Sequence, residues 1–126
     1  MLINNAFGWV WILAGFLAGM GLGLRFHREA WLGGYGSHSR RMLRLGHISF
    51  IGLGIVNILF AMSAPRLSLG PPLTQAASVA LIAGAVTMPL CCALMAWRRA
   101  LWPLFTLPVT SLLVGAALVV IGVVRA

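Results

Sequence analysis

The stretch 40-RRMLRLGHISFIGLGIVNILFAMSA-64 decides how this chain is read. Three arginines, Arg40, Arg41 and Arg44, lead into an apolar run that carries a single histidine and a single asparagine. Steps of three, four and seven residues return to the same side of an α-helix, so Arg40, Arg44, His47, Gly54, Asn57 and Ala61 share one face. That face is polar or small. Leu45, Ile48, Leu53, Val56, Leu59 and Phe60 point elsewhere, and the helix therefore offers one seam to protein and its remaining surface to hydrocarbon.

Composition extends this reading to the whole chain. With 61% hydrophobic residues, 8% charged residues and a mean hydropathy of +1.02, the sequence is far from a soluble domain, where about a quarter of residues are charged. Lysine is absent, all nine positive charges are arginine, the only acid is Glu29, and the formal charge is +8. These arginines flank apolar runs instead of alternating with aromatic residues along a groove, which speaks against nucleic acid and for anionic lipid headgroups or an acidic partner. The neighbouring Cys91 and Cys92 have neither the spacing of a disulfide framework nor that of a metal site.

Four runs, 6–24, 45–64, 76–97 and 103–124, approach or exceed the span of about 20 apolar residues that a membrane helix needs. None shows the period of two expected of barrel strands. The chain is thus expected to be all-α, an integral membrane four-helix bundle forming a single domain over 1–126, with a basic connector at 25–44. The first run reads as a retained helix and not a cleaved signal, because residues 1–7 carry no charged side chain. Arg25, Arg28, Arg40, Arg41 and Arg44 fall in the first connector and Arg98 and Arg99 in the third, against Arg66 and Arg125 on the opposite side. Cytoplasmic loops carry the excess of arginine, so both termini are expected outside, in the periplasm of a bacterial inner membrane. Trp9, Trp11, Trp31, Trp97 and Trp102 are expected at the membrane interfaces.

Small residues mark where helices are expected to meet. Gly15, Gly19 and Gly23 form overlapping GxxxG patterns with Gly8 near the same side, and Ala76, Ala80 and Gly84, then Ser111 and Gly115, repeat the theme. Asn57 lies about 15 Å along the helix from His47. It is expected to act as interhelical glue, bonding to a backbone carbonyl, Thr87, Thr110 or Ser111. In the connector, Gly33, Gly34 and Gly36 permit a turn, Ser37 or Ser39 caps the second helix, and His38 reads as an exposed loop residue.

His27, just past the first helix, and His47, just inside the second, are expected at similar depth. Such a pair could supply the axial ligands of a haem b iron, with Arg44 neutralising a propionate, or could bond a quinone carbonyl. No intramembrane carboxylate, CxxC pair, spaced zinc ligands, phosphate-binding loop or activated nucleophile is present. The expected role is therefore a non-catalytic subunit or assembly factor of a larger membrane complex. It would pack through glycine-lined faces, against other integral membrane subunits or itself, and rest its arginines on anionic lipid or an acidic partner. The alternatives are a small redox subunit with haem b or quinone at His47, and a transporter passing a neutral substrate near Asn57.

Overall fold

The structure, a computed structural model, describes residues 1–126. Four α-helices run α1 (Leu2–Phe26), α2 (His38–Ser63), α3 (Pro71–Trp97) and α4 (Thr106–Val124), joined by short 3-10 turns, with no strand. All four are long and apolar enough to cross a membrane, the fourth when counted with the 3-10 turn Arg99–Phe105 that leads into it.

The first three helices start before their apolar runs, because a helix begins at its cap and not where hydropathy rises. Ser37 caps α2 by accepting the Arg40 backbone N–H at 3.2 Å. Pro71 and Pro72 open α3 after Gly70, where a missing N–H leaves no bond unmade. At α4 the shift is in the other sense. Pro103 belongs to the tighter turn, and Pro108 lies in the first turn of the α-helix proper. Between α1 and α2 the chain reverses through Leu32, Gly33 and Gly34 at φ values of 54°, 86° and 95°. Glycine takes this left-handed backbone readily and leucine does not.

The helices pack in chain order. α1 lies on α2, α2 on α3 and α3 on α4; α1 touches α3 at a few points, and α1 and α4 share no comparable interface. The four helices thus form a bundle in which α1 and α4, the first and the last, have no substantial contact with each other. Between α3 and α4, Leu112 presses on Gly84 and Leu81 on Gly115. Leu81 belongs with Phe60, Ala64 and Ala77 to the apolar core, against which Leu67, Leu112, Leu118 and Val119 pack. The far end of α4 is tied to the α2–α3 connector: the Ser68 N–H donates to the Gly122 carbonyl at 3.1 Å.

Between α1 and α2 it is backbone that meets backbone. A methyl group added to Gly8 would fall 2.6 Å from the Gly54 carbonyl oxygen, and one added to Gly54 would fall 2.8 Å from the Gly8 carbonyl oxygen. Such proximity permits Cα–H···O contacts, which are worth about 0.5–1 kcal/mol each. Further along the same seam Gly15 receives Phe50 and Ile51, and Gly19 receives the His47 ring. Gly23, expected to continue this packing, has open space where a side chain would be. The helices have begun to part there, which the GxxxG spacing does not reveal.

Candidate functional site

Two polar regions lie on the α1–α2 seam, one in its interior and one at the connector end. In the first, Asn4 and Asn57 are both 0% exposed. The Asn4 side-chain amide donates to Asn57 Oδ1 at 2.8 Å, and Asn4 Oδ1 accepts from the Ser78 hydroxyl. Asn57 also donates to the Leu53 carbonyl at 2.9 Å and the Leu81 carbonyl at 3.4 Å. One cluster therefore links α1, α2 and α3. Asn57 does bond backbone carbonyls as expected, but not Thr87, Thr110 or Ser111. Thr87 and Thr110 instead return their hydroxyls to carbonyls of their own helices. Asn4 was not singled out from sequence because it precedes the apolar run. A signal was present: Asn4, Gly8, Trp11, Gly15 and Gly19 recur at steps of four and three, the period of one helix face.

Trp11 stands about 13 Å into α1 and is half-buried. Its indole N–H donates to the Ala85 carbonyl at 3.1 Å. That carbonyl would ordinarily accept from the residue four positions on, which here is Pro89, inside α3 and without an N–H. Trp11 thus supplies from α1 the donor that Pro89 withholds in α3. Phe7 stacks on its ring with centroids 5.0 Å apart, and Phe50 meets it tilted at 4.9 Å.

At the connector end, Arg40 is only 2% exposed. Its guanidinium carbon lies 5.2 Å from the Phe26 ring centroid and 5.6 Å from that of Trp31, and it donates to the Arg28 carbonyl. Cation–π attraction of this kind holds a charge among aromatic rings without a carboxylate. Its Nε is buried without a hydrogen-bond partner. One turn on, Arg44 stands 4.2 Å over the Tyr35 ring and donates to the Tyr35 carbonyl at 2.9 Å. Arg25, Arg28 and Arg41 are exposed, as is Glu29. Two further side chains fasten this end of α2 to α3. His38 Nε2 pairs with the Met95 carbonyl at 2.9 Å and the Ser39 hydroxyl donates to the Ala96 carbonyl at 2.8 Å, meeting carbonyls that the end of α3 leaves free. His38 is thus the first residue of a helix and not a free loop residue.

His47 is half-buried, its Nε2 against Gly19. Its ring lines two clefts. One, of about 320 Å³, is walled by Ala18, Leu22, Gly46, Phe50, Pro89 and Ala93 among others. The other, of about 270 Å³, opens between α1 and α2 and is lined by Gly19, Leu22, Gly23, Phe26, Arg44, His47 and Ile48. His27 is not brought to either cleft. It is the exposed C-cap of α1, eight residues and about 12 Å of helix rise beyond Gly19. Of the expected packing residues, Gly15 and Gly19 face α2, Gly84 faces α4, Gly115 faces α3, and Ala80 is half-buried on α3. Cys91 and Cys92 are buried free thiols; Cys92 approaches Gly46 of α2. No protein family, curated protein or solved structure matches the chain.

Proposed function

We propose that this chain is a non-catalytic subunit or assembly factor of a larger membrane complex. The observation that carries the reading is the separation of α1 from α4. Both helices present long apolar faces, with Trp9, Leu13, Phe16, Leu17 and Met20 exposed on α1 and Leu113, Val114 and Val120 on α4. A membrane helix gains nothing by hiding such faces from lipid. What it gains from a neighbour is close packing, and a bundle whose first and last helices do not meet leaves room for neighbours on both sides. The polar side chains inside the spans support the same role, since Asn4, Asn57, Ser78, Trp11 and Thr87 bond within the chain.

The arginine-rich end faces the cytoplasm in this reading, resting on anionic headgroups, and both termini lie outside. The test is purification in mild detergent after photo-crosslinking from Phe16 and from Val120. Crosslinks to another integral membrane protein or to a second copy support the role; a monodisperse monomer crosslinked to neither removes it. Terminal fusions to alkaline phosphatase, active only outside the cytoplasm, check the sidedness. A redox role draws on His47 alone, through a quinone at its clefts, and a visible spectrum and solvent extract of the same sample test it.

A further inference from the structure

We infer that the cleft between α1 and α2 beside Arg44 and His47 is a binding site for one anionic phospholipid, whose phosphate stays at the Arg44 end while its chains follow the seam that opens at Gly23. This rests on the reading that the arginine-rich end meets anionic lipid, and it names the site and the chemistry.

Three features of the cleft fit a phosphate-bearing amphiphile. Arg44 is part of its lining, with the guanidinium held beside the cleft at Tyr35. The Tyr35 carbonyl takes one of its N–H groups and the Tyr35 ring covers the guanidinium, which fixes the side chain and leaves most of its five donors for a ligand. Arginine pairs with phosphate through two parallel N–H···O bonds, and a guanidinium already held in place loses less freedom in forming them. Second, the polar groups are graded by depth. Arg44 is about 9 Å along α2 from its first residue, and His47 lies about 4.5 Å deeper. His47, one turn below the phosphate, lies at the level of the ester carbonyls that join a phospholipid's headgroup to its chains. Third, the rest of the lining is apolar or missing: Leu22 and Ile48 offer hydrocarbon, while a side chain at Gly23 would meet nothing within 4 Å.

Charge selects the occupant. Five arginines cluster at this end, at positions 25, 28, 40, 41 and 44, and the chain's only acid is Glu29. Each arginine near the surface adds about 1 kcal/mol of attraction to an anionic leaflet. Phe26, the upper wall of the cleft, is itself held under the buried Arg40. Arg40 therefore positions the wall, and Arg44 touches the ligand.

The test is native mass spectrometry of the isolated, delipidated chain in mild detergent, given phosphatidylglycerol or phosphatidylcholine with identical acyl chains. One phosphatidylglycerol should be retained about tenfold more strongly than phosphatidylcholine, the size expected of a charge-assisted bond. Gly23→Leu, at a position where an added Cβ meets nothing within 4 Å, narrows the cleft and should remove the preference, as should Arg44→Gln. Gly52→Leu, at a position on α2 that also has open space, should leave it intact. Millimolar inorganic phosphate should not displace the lipid.

Equal retention of the two lipids overturns the inference, as does a preference that survives Gly23→Leu. Displacement by free phosphate would reassign the cleft to a soluble anion. Quinone recovered from the freshly purified chain and lost in Gly23→Leu would reassign it to a redox head, and loss of an acidic protein partner with lipid retention unchanged would reassign it to a protein contact. If Arg44→Gln does not fold, the Gly23→Leu and Gly52→Leu pair still decides. A chain that holds phosphatidylglycerol but recruits no partner removes only the subunit role. A chain that recruits a partner but shows no headgroup preference removes only the lipid site.

Discussion

The α1–α2 seam and the α3–α4 seam both rest on glycine, but they use it differently. Between α3 and α4, each glycine is a socket for a leucine, Gly84 for Leu112 and Gly115 for Leu81, and the contact is side chain into backbone. Between α1 and α2, Gly8 and Gly54 let two main chains touch, and the polar groups of the spans, Asn4, Asn57, Trp11 and His47, gather along the same line. A socket tolerates some change, because a leucine can shift its rotamer. A backbone contact does not. The seam that carries the chemistry is thus also the less forgiving one.

Substitution by alanine is the most direct way to break this contrast. In Gly54→Ala the new methyl group meets the Gly8 carbonyl at 2.8 Å, and we expect a loss of about 3 kcal/mol or more, at the upper end for an overpacked core. Gly115→Ala meets the Leu81 side chain at the same 2.8 Å, but that group can yield, so about 1–2 kcal/mol is expected. The buried thiols Cys91 and Cys92 give a readout, since a thiol-reactive dye labels them as the protein opens on heating. Equal losses at the two positions would erase the distinction.

Next in size is Asn57→Leu, which leaves the Asn4 amide without its closest partner and should cost about 1–3 kcal/mol. The double variant Asn4→Leu/Asn57→Leu should be less unstable than the sum of the two single changes, because no unpaired amide is left facing another. Strict additivity would mean that the two groups do not act as a pair.

A smaller effect sharpens the comparison further. Trp11→Phe deprives the Ala85 carbonyl of its donor and should cost about 1 kcal/mol. In a Pro89→Ala background, where α3 regains its own N–H donor, the same change should cost less. An unchanged cost would show that the indole contributes only by packing. Smallest of all, Gly52→Ala adds a methyl group in open space and should raise the midpoint slightly, by no more than about 1 kcal/mol of helix propensity.

Much of this architecture is legible in the residues. The face formed by Arg40, Arg44, His47, Gly54, Asn57 and Ala61 follows from helical spacing, and it is the face α2 turns toward α1: Arg40 meets Phe26, His47 meets Gly19, Gly54 meets Gly8 and Asn57 meets Asn4. Hydropathy locates the four helices but not their starts, because caps at Ser37 and Gly70 lie outside the apolar runs. The early start of α1 at Leu2, ahead of its apolar run, likewise hid Asn4. Other features depend on which helices are neighbours, and no local pattern contains that. The pairing of Trp11 with the carbonyl freed by Pro89 joins residues 74 apart to the acceptor. The separation of α1 from α2 at Gly23, which opens the cleft, likewise follows from how the helices diverge and not from glycine spacing.

The order of the helices in space repeats their order along the chain, with nothing that must return from the last to the first. Emerging from a ribosome, α2 finds its support, α1, already made. When α3 arrives it supplies Ser78 and the Ala85 carbonyl to residues waiting on α1. α4 then docks on α3, on the core that Phe60 of α2 shares, and on the connector whose Ser68 N–H its Gly122 carbonyl accepts. Assembly can proceed by accretion, and a truncation before α4 would leave the asparagine cluster complete.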